Sequence, residues 1–145
     1  MEEVNLEALK LENQLCFPLY ACAREVVKKY KPFLDEIDLT YTQYVTMMVL
    51  WEKPEVTSKE IGERLHLDSG TLTPVIKKLA EKGLVTRRRD REDERNLLVT
   101  LTDAGDALKY RAAQVPVQMG GCIHLEPQEA AVLYGLLYKL LGALE

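Results

Sequence analysis

The 145-residue chain predicts a mainly α-helical single domain carrying one small β-hairpin. Three observations carry this reading. Apolar residues recur at helical spacing, helix-starting and helix-stopping residues punctuate the chain at short intervals, and two β-branched runs flank one polar stretch from Asp90 to Arg95. Hydrophobic residues make up 47% of the chain, enough for the core of one domain over residues 1–145. Gly 8 and Pro 6 are too few for a collagen-like or low-complexity chain, and Cys 3 too few for a disulfide scaffold. No apolar run approaches the roughly 18 residues of a membrane span. The acidic start MEEVNLEALK is unlike a signal peptide, so a cytoplasmic protein with reduced thiols is expected.

The first helix is expected over about Leu9 to Leu34, where Leu11, Leu15, Leu19, Cys22 and Val26 keep helical spacing. Pro18 lacks the N–H a helix interior needs, so either the regular helix begins near Gln14 to Phe17 or it kinks there, with Cys16 at the start or the break. Thr40 caps a short buried helix over YTQYVTMMVLWEK. Thr57-Ser58-Lys59-Glu60 reads as a capping box opening a short helix to Leu65. Asp68 caps the next, SGTLTPVIKKLAEK, which Gly83 ends and in which Pro74 falls early enough to be tolerated. Leu84 to Arg88 and Asn96 to Leu101 are the hairpin strands. Thr102 and Asp103 cap a helix running towards Val115, bent or interrupted by Pro116 and Gly120-Gly121. Glu126 and Pro127 open the last helix, where Leu133, Leu136, Leu137, Leu140, Leu141 and Leu144 form one face. That face has two readings: ordinary packing within the subunit, or a homodimer in which both terminal helices exchange contacts.

Two short helices joined by a tight turn and followed by a charged hairpin make a winged helix-turn-helix, about residues 40–102, flanked by N- and C-terminal dimerisation helices, about 9–34 and 103–145. The net charge of −4 argues against nucleic acid only until its distribution is counted. Lys59 to Arg95 holds ten basic and eight acidic residues, a balance of +2 that leaves −6 elsewhere. A recognition helix needs small polar residues at its N-terminal end and cations further along; Ser69, Gly70, Thr71 and Thr73 supply the first, Lys77 and Lys78 the second. The wing brings Arg87, Arg88, Arg89, Arg91 and Arg95, with Asp93 on the same strand face as Arg95 to hold its guanidinium. Double-stranded DNA with a pseudo-palindromic operator is therefore the expected partner, a protein-interaction module being the other use of such a fold. No metal or other cofactor is implied.

LDSGTLTP (Leu67 to Pro74) and DERNLLVTLT (Asp93 to Thr102) resemble the winged helix of the MarR family. LENQLCF (Leu11 to Phe17), Tyr20, Tyr30-Lys31-Pro32 and LTYTQY (Leu39 to Tyr44) are similar to its OhrR subgroup of organic-hydroperoxide-sensing repressors. The resemblance covers nearly the whole chain and implies a redox-sensing Cys16. It further implies that hydroxyls of Tyr30 and Tyr41 approach that sulfur from the partner subunit, with Tyr20 nearby, and that organic hydroperoxide is the inducer. Two-cysteine members carry a second cysteine in the region of Cys122, which makes Cys122 the candidate resolving thiol. Cys22, off the helical face of Cys16, is expected in the core. Two residues depart from the pattern: Pro18 replaces a helix former, altering the exposure of Cys16, and Thr42 replaces a proline, loosening the entry to the second helix.

Two other functions compete. A thiol peroxidase would share Cys16, but His66 and His124 complete no triad or metal set, so an enzyme is not expected. A MarR-type repressor answering a small ligand, its cysteines bystanders, is the other.

Overall fold

A computed structural model describes residues 2–93 and 95–145; Glu94, inside the DERNLLVTLT motif, lies outside the described residues. Two short 3₁₀ turns, Leu6–Leu9 and Leu11–Asn13, lead into α1 (Cys16–Asp35) and α2 (Tyr41–Glu52). Then come β1 (Glu55–Thr57), α3 (Ser58–Leu65), α4 (Ser69–Glu81), β2 (Val85–Arg89) and β3 (Leu97–Leu101). The chain closes with α5 (Asp103–Ala112), α6 (Gln114–Gly120) and α7 (Pro127–Leu144). The mainly helical fold with a β-wing is as the sequence predicts.

Pro18 decides where α1 begins. At the third helical position its missing N–H is one that no intrahelical carbonyl would reach, so regular helix starts at Cys16 rather than at Leu9. The entry to α2 is not loosened by Thr42. Thr40 and Gln43 form a complete capping box there, the Thr40 hydroxyl accepting from Gln43 N and Gln43 Oε1 from Thr40 N. At α3 the expected box is only half formed: Thr57 Oγ1 accepts from Glu60 N at 3.2 Å, but the Glu60 carboxylate turns to Lys53 Nζ instead. Asp68 caps α4 as expected, and hydrogen bonds from Thr71, its backbone N–H first, hold the Asp68 carboxyl below the usual range. Gly83, at φ +75°, ends α4 in a Schellman turn, with Gly83 N donating to Ala80 O and Leu84 N to Leu79 O.

The wing is a three-stranded antiparallel sheet in the order β1-β3-β2, not a hairpin alone. β1 pairs Val56 with Val99; its three residues are too short to show a period, and Thr57 doubles as a cap. The core gathers Leu50 of α2, Ile61 of α3, Leu72, Ile76 and Leu79 of α4, and Val85 and Val99 of the sheet, with Leu34, Ala112 and Val115 closing it from α1, α5 and α6. Each fully buried aliphatic contributes about 1.5–3 kcal/mol. α2 is less enclosed than expected, since Met48 is exposed. The break after α5 falls at Ala113, and Pro116 sits in the first turn of α6.

α7 buries no residue, and Val132, Leu133, Tyr134, Leu136, Leu137, Tyr138, Leu140 and Leu144 are all exposed within the subunit. Packing inside the subunit is thus overturned as the reading of the leucine face.

Candidate nucleic-acid interface and thiol site

The Asp68 cap leaves the N-terminal end of α4 projecting, with Ser69, Gly70, Thr71 and Thr73 exposed along it and Lys77 and Lys78 further down. Thr73 Oγ1 donates back to Ser69 O at 2.6 Å, which commits its hydroxyl proton within the helix. Between α3, α4 and the wing runs a concave groove of about 930 Å³, lined among others by Ser58, Lys59, Ser69, Thr73, Arg89 and Arg95. Lys59, at the N-terminal turn of α3, is the cation that sequence reasoning passed over; a lysine in the first helical turn, where a cation is poorly matched to the dipole, was the available signal.

The wing arginines do not act as one patch. In β2 successive side chains alternate, so Arg87 and Arg89 share the side of buried Val85, while Arg88 stands with Thr86 on the other. Arg91 lies in the exposed turn. Asp93 and Arg95 do pair, but within that turn rather than on a strand face: Arg95 Nε and backbone N both donate to Asp93 Oδ1 at 3.1 Å. The Arg95 guanidinium, then its backbone N–H, and more weakly the charge of Lys59 hold the Asp93 carboxyl below the usual range. Though paired, the guanidinium stays open to solvent, its side chain 91% exposed.

Cys16 is exposed at the first position of α1, whose N-cap Leu15 offers no side-chain acceptor and whose first turn holds no acidic residue. The positive end of the helix dipole is left without an acidic partner there. Tyr30 and Tyr41 pack as a tilted pair, ring centroids 4.9 Å apart and planes at 54°, and Tyr44 packs on both at 5.9 and 6.3 Å. Tyr20 stands apart, exposed and covered by Arg24. Among the described residues no hydrogen bond within the subunit joins these tyrosines to Cys16. Cys122 is half-buried in the turn after α6, its Sγ donating to Gln118 O at 3.6 Å. Cys22 is exposed, which corrects its assignment to the core: it lies on the stretch of α1 that the subunit leaves uncovered. Among the described residues no cluster of His, Cys, Asp and Glu could hold a metal, and no helix is long and apolar enough to cross a membrane.

The tyrosine cluster makes a pH prediction. Burial first, then the neighbouring Tyr30 and Tyr41, push the Tyr44 phenol from 10.0 up to about 12. The folded chain therefore keeps a proton that the unfolded chain releases, so this stabilisation is complete below pH 10.0 and is lost as pH climbs towards 12. Tyr44→Phe should flatten the fall in urea-unfolding free energy over that interval by about 2 kcal/mol. Equal slopes for the two proteins would mean that the hydroxyl is solvated.

A helix-turn-helix presenting small polar residues beside an arginine-bearing wing defines a winged-helix DNA-binding transcriptional regulator. Residues 28–111 match the family model of the SarA/Rot transcriptional regulators. The chain is 46% identical over 142 residues to the organic hydroperoxide resistance transcriptional regulator of Bacillus subtilis, covering 98% of this chain and 97% of the relative. It is 43% identical to the regulator SarZ of Staphylococcus aureus over 83% of this chain and 82% of the relative. Overoxidised AbfR bound to DNA superposes with a TM-score of 0.77 at 34% identity, over 98% of this chain and 100% of that one. The chain belongs to the MarR family of winged-helix transcriptional regulators.

Proposed function

We propose that the chain is a homodimeric repressor that releases its operator when an organic hydroperoxide oxidises Cys16. The observation that carries this reading is the exposed Cys16 at the uncapped start of α1, a helix whose outward apolar residues, like those of α7, the subunit leaves bare. Pairing two subunits through these helices covers both faces and brings Tyr30 and Tyr41 of one subunit towards Cys16 of the other. α4 enters the major groove with Ser69, Gly70, Thr71 and Thr73 at base edges and Lys77 and Lys78 at phosphates, and the wing carries Arg95, held by Asp93, to the minor groove with Arg87, Arg88, Arg89 and Arg91 around it. The groove beside Lys59 then follows the phosphate backbone.

The chemistry needs one thiolate and one peroxide. Cys16 S⁻ attacks the outer oxygen of ROOH, the O–O bond breaks, and RO⁻ leaves to take a proton as ROH while Cys16 becomes a sulfenic acid. The Cys122 thiol of the second subunit condenses with it, losing water, and the disulfide draws the two segments to a Cα separation of about 4.4–6.8 Å. Either step removes the charged sulfur to which the tyrosine hydroxyls donate. The experiment is a mobility shift with a duplex selected from a random pool by the reduced protein, before and after cumene hydroperoxide. Wild type should release the duplex and Cys16→Ser should retain it; release by Cys16→Ser would overturn the sensor reading and favour bystander cysteines. A regulator rather than a peroxidase should also consume no more than about one equivalent of peroxide per subunit, without turnover on added thiol.

A further inference from the structure

We infer that Lys82 is a positioning residue that couples the tyrosine side of the thiol site to the recognition helix; the inference rests on the peroxide-sensing reading above. Lys82 is the C-cap of α4, yet its side chain turns back onto the turn between α1 and α2 and is only 27% exposed. Its ammonium donates to Asp38 O and to Gln43 Oε1 at 3.0 Å, and lies 3.7 Å from Asp38 Oδ2. These acceptors are not a generic acidic patch. Gln43 is buried and its Oε1 also accepts from Thr40 N at 3.1 Å, so both lone pairs of one amide oxygen are committed, one to the α2 cap and one to α4. Tyr41, followed by Thr42, lies inside that cap between Thr40 and Gln43.

Asp38 belongs to the turn that joins Tyr30's helix to Tyr41's, and it holds a left-handed conformation at φ 53°. The loop is therefore pinned at a specific shape by an ammonium supplied from α4. When Tyr41 loses the charged sulfur as hydrogen-bond partner and shifts, the Thr40–Gln43 cap moves with it, and Gln43 Oε1 cannot keep its line to Thr40 without changing its line to Lys82. The displacement reaches the C-terminal end of the recognition helix through the Lys82 ammonium, a polar link that a mutation can cut.

The test compares operator dissociation constants of the reduced and the cumene-hydroperoxide-treated full-length protein, using the selected duplex. The readout is their ratio, which a merely structural role for Lys82 would leave unchanged. Lys82→Met, which keeps the stem and removes the donors, should lower the ratio at least fivefold relative to wild type, and Lys82→Arg should restore most of it. Should Lys82→Met fold poorly by circular dichroism, Lys82→Gln is read the same way. A wild-type ratio in the Met or Gln variant overturns the coupling while leaving the sensor intact. A wild type that itself shows no difference between the two states overturns both.

Discussion

Replacing Gly105 by alanine is expected to destabilise the fold by about 3 kcal/mol and to lower the thermal midpoint by roughly 10 °C. A Cβ there would lie 2.1 Å from Leu84 O and 2.8 Å from Leu101 Cδ1, well inside contact distance. The Leu101 methyl can turn aside, but the Leu84 backbone cannot. Leu84 O is the acceptor for Thr102 N, the bond that closes the wing onto the start of α5, and Leu101 is the last residue of β3. Gly105 is itself held from two more sides: its N donates to the Thr102 cap at 3.0 Å, and its carbonyl accepts from Trp51 Nε1 at 2.9 Å. The glycine is required by close approach of backbones rather than by an unusual φ. Urea unfolding measures the loss, with Gly120→Ala as the control, since a Cβ at Gly120 meets nothing within 4 Å. Equal midpoints for Gly105→Ala and wild type would mean that the contact between α5 and the wing relaxes without cost.

Local chemistry was legible and long-range chemistry was not. Asp68, Gly83, Thr102 and Pro127 marked helix ends correctly because caps and left-handed turns are decided by a few neighbouring atoms. The half-formed box at Thr57 failed for a reason outside that range: Glu60 has a better partner in Lys53, which approaches from beyond β1. β1 was missed because a three-residue strand exists only by virtue of its pairing with β3. The role of Lys82 is invisible in sequence for the same reason, its acceptors lying 44 and 39 residues away. Cys22 looked like core because its helix is amphipathic, and sequence periodicity names an apolar face without saying whether the subunit or a second copy covers it.

Turning Leu136 into aspartate should abolish the dimer and with it most of the DNA affinity. Leu136 is 57% exposed on α7, and α7 buries nothing in its own subunit, so the substitution leaves the core and the cap at Glu126 untouched. In a two-fold dimer the same position enters the interface twice, and each copy would carry an unpaired carboxylate into an apolar layer with leucines at 133, 137 and 140. Each burial costs several kcal/mol, more than such a face can absorb. The mass in solution, by light scattering, should fall to the 16.5 kDa of one chain, with the far-ultraviolet spectrum unchanged. Operator affinity should then drop by about 10²–10⁴, because two half-sites are no longer engaged at once. A monomer that still bound the duplex like wild type would place recognition in a single winged helix and leave the bare faces of α1 and α7 without a part in it. A variant that stayed dimeric would place the dimer contact elsewhere on the subunit, and with it the approach of Tyr30 and Tyr41 to Cys16.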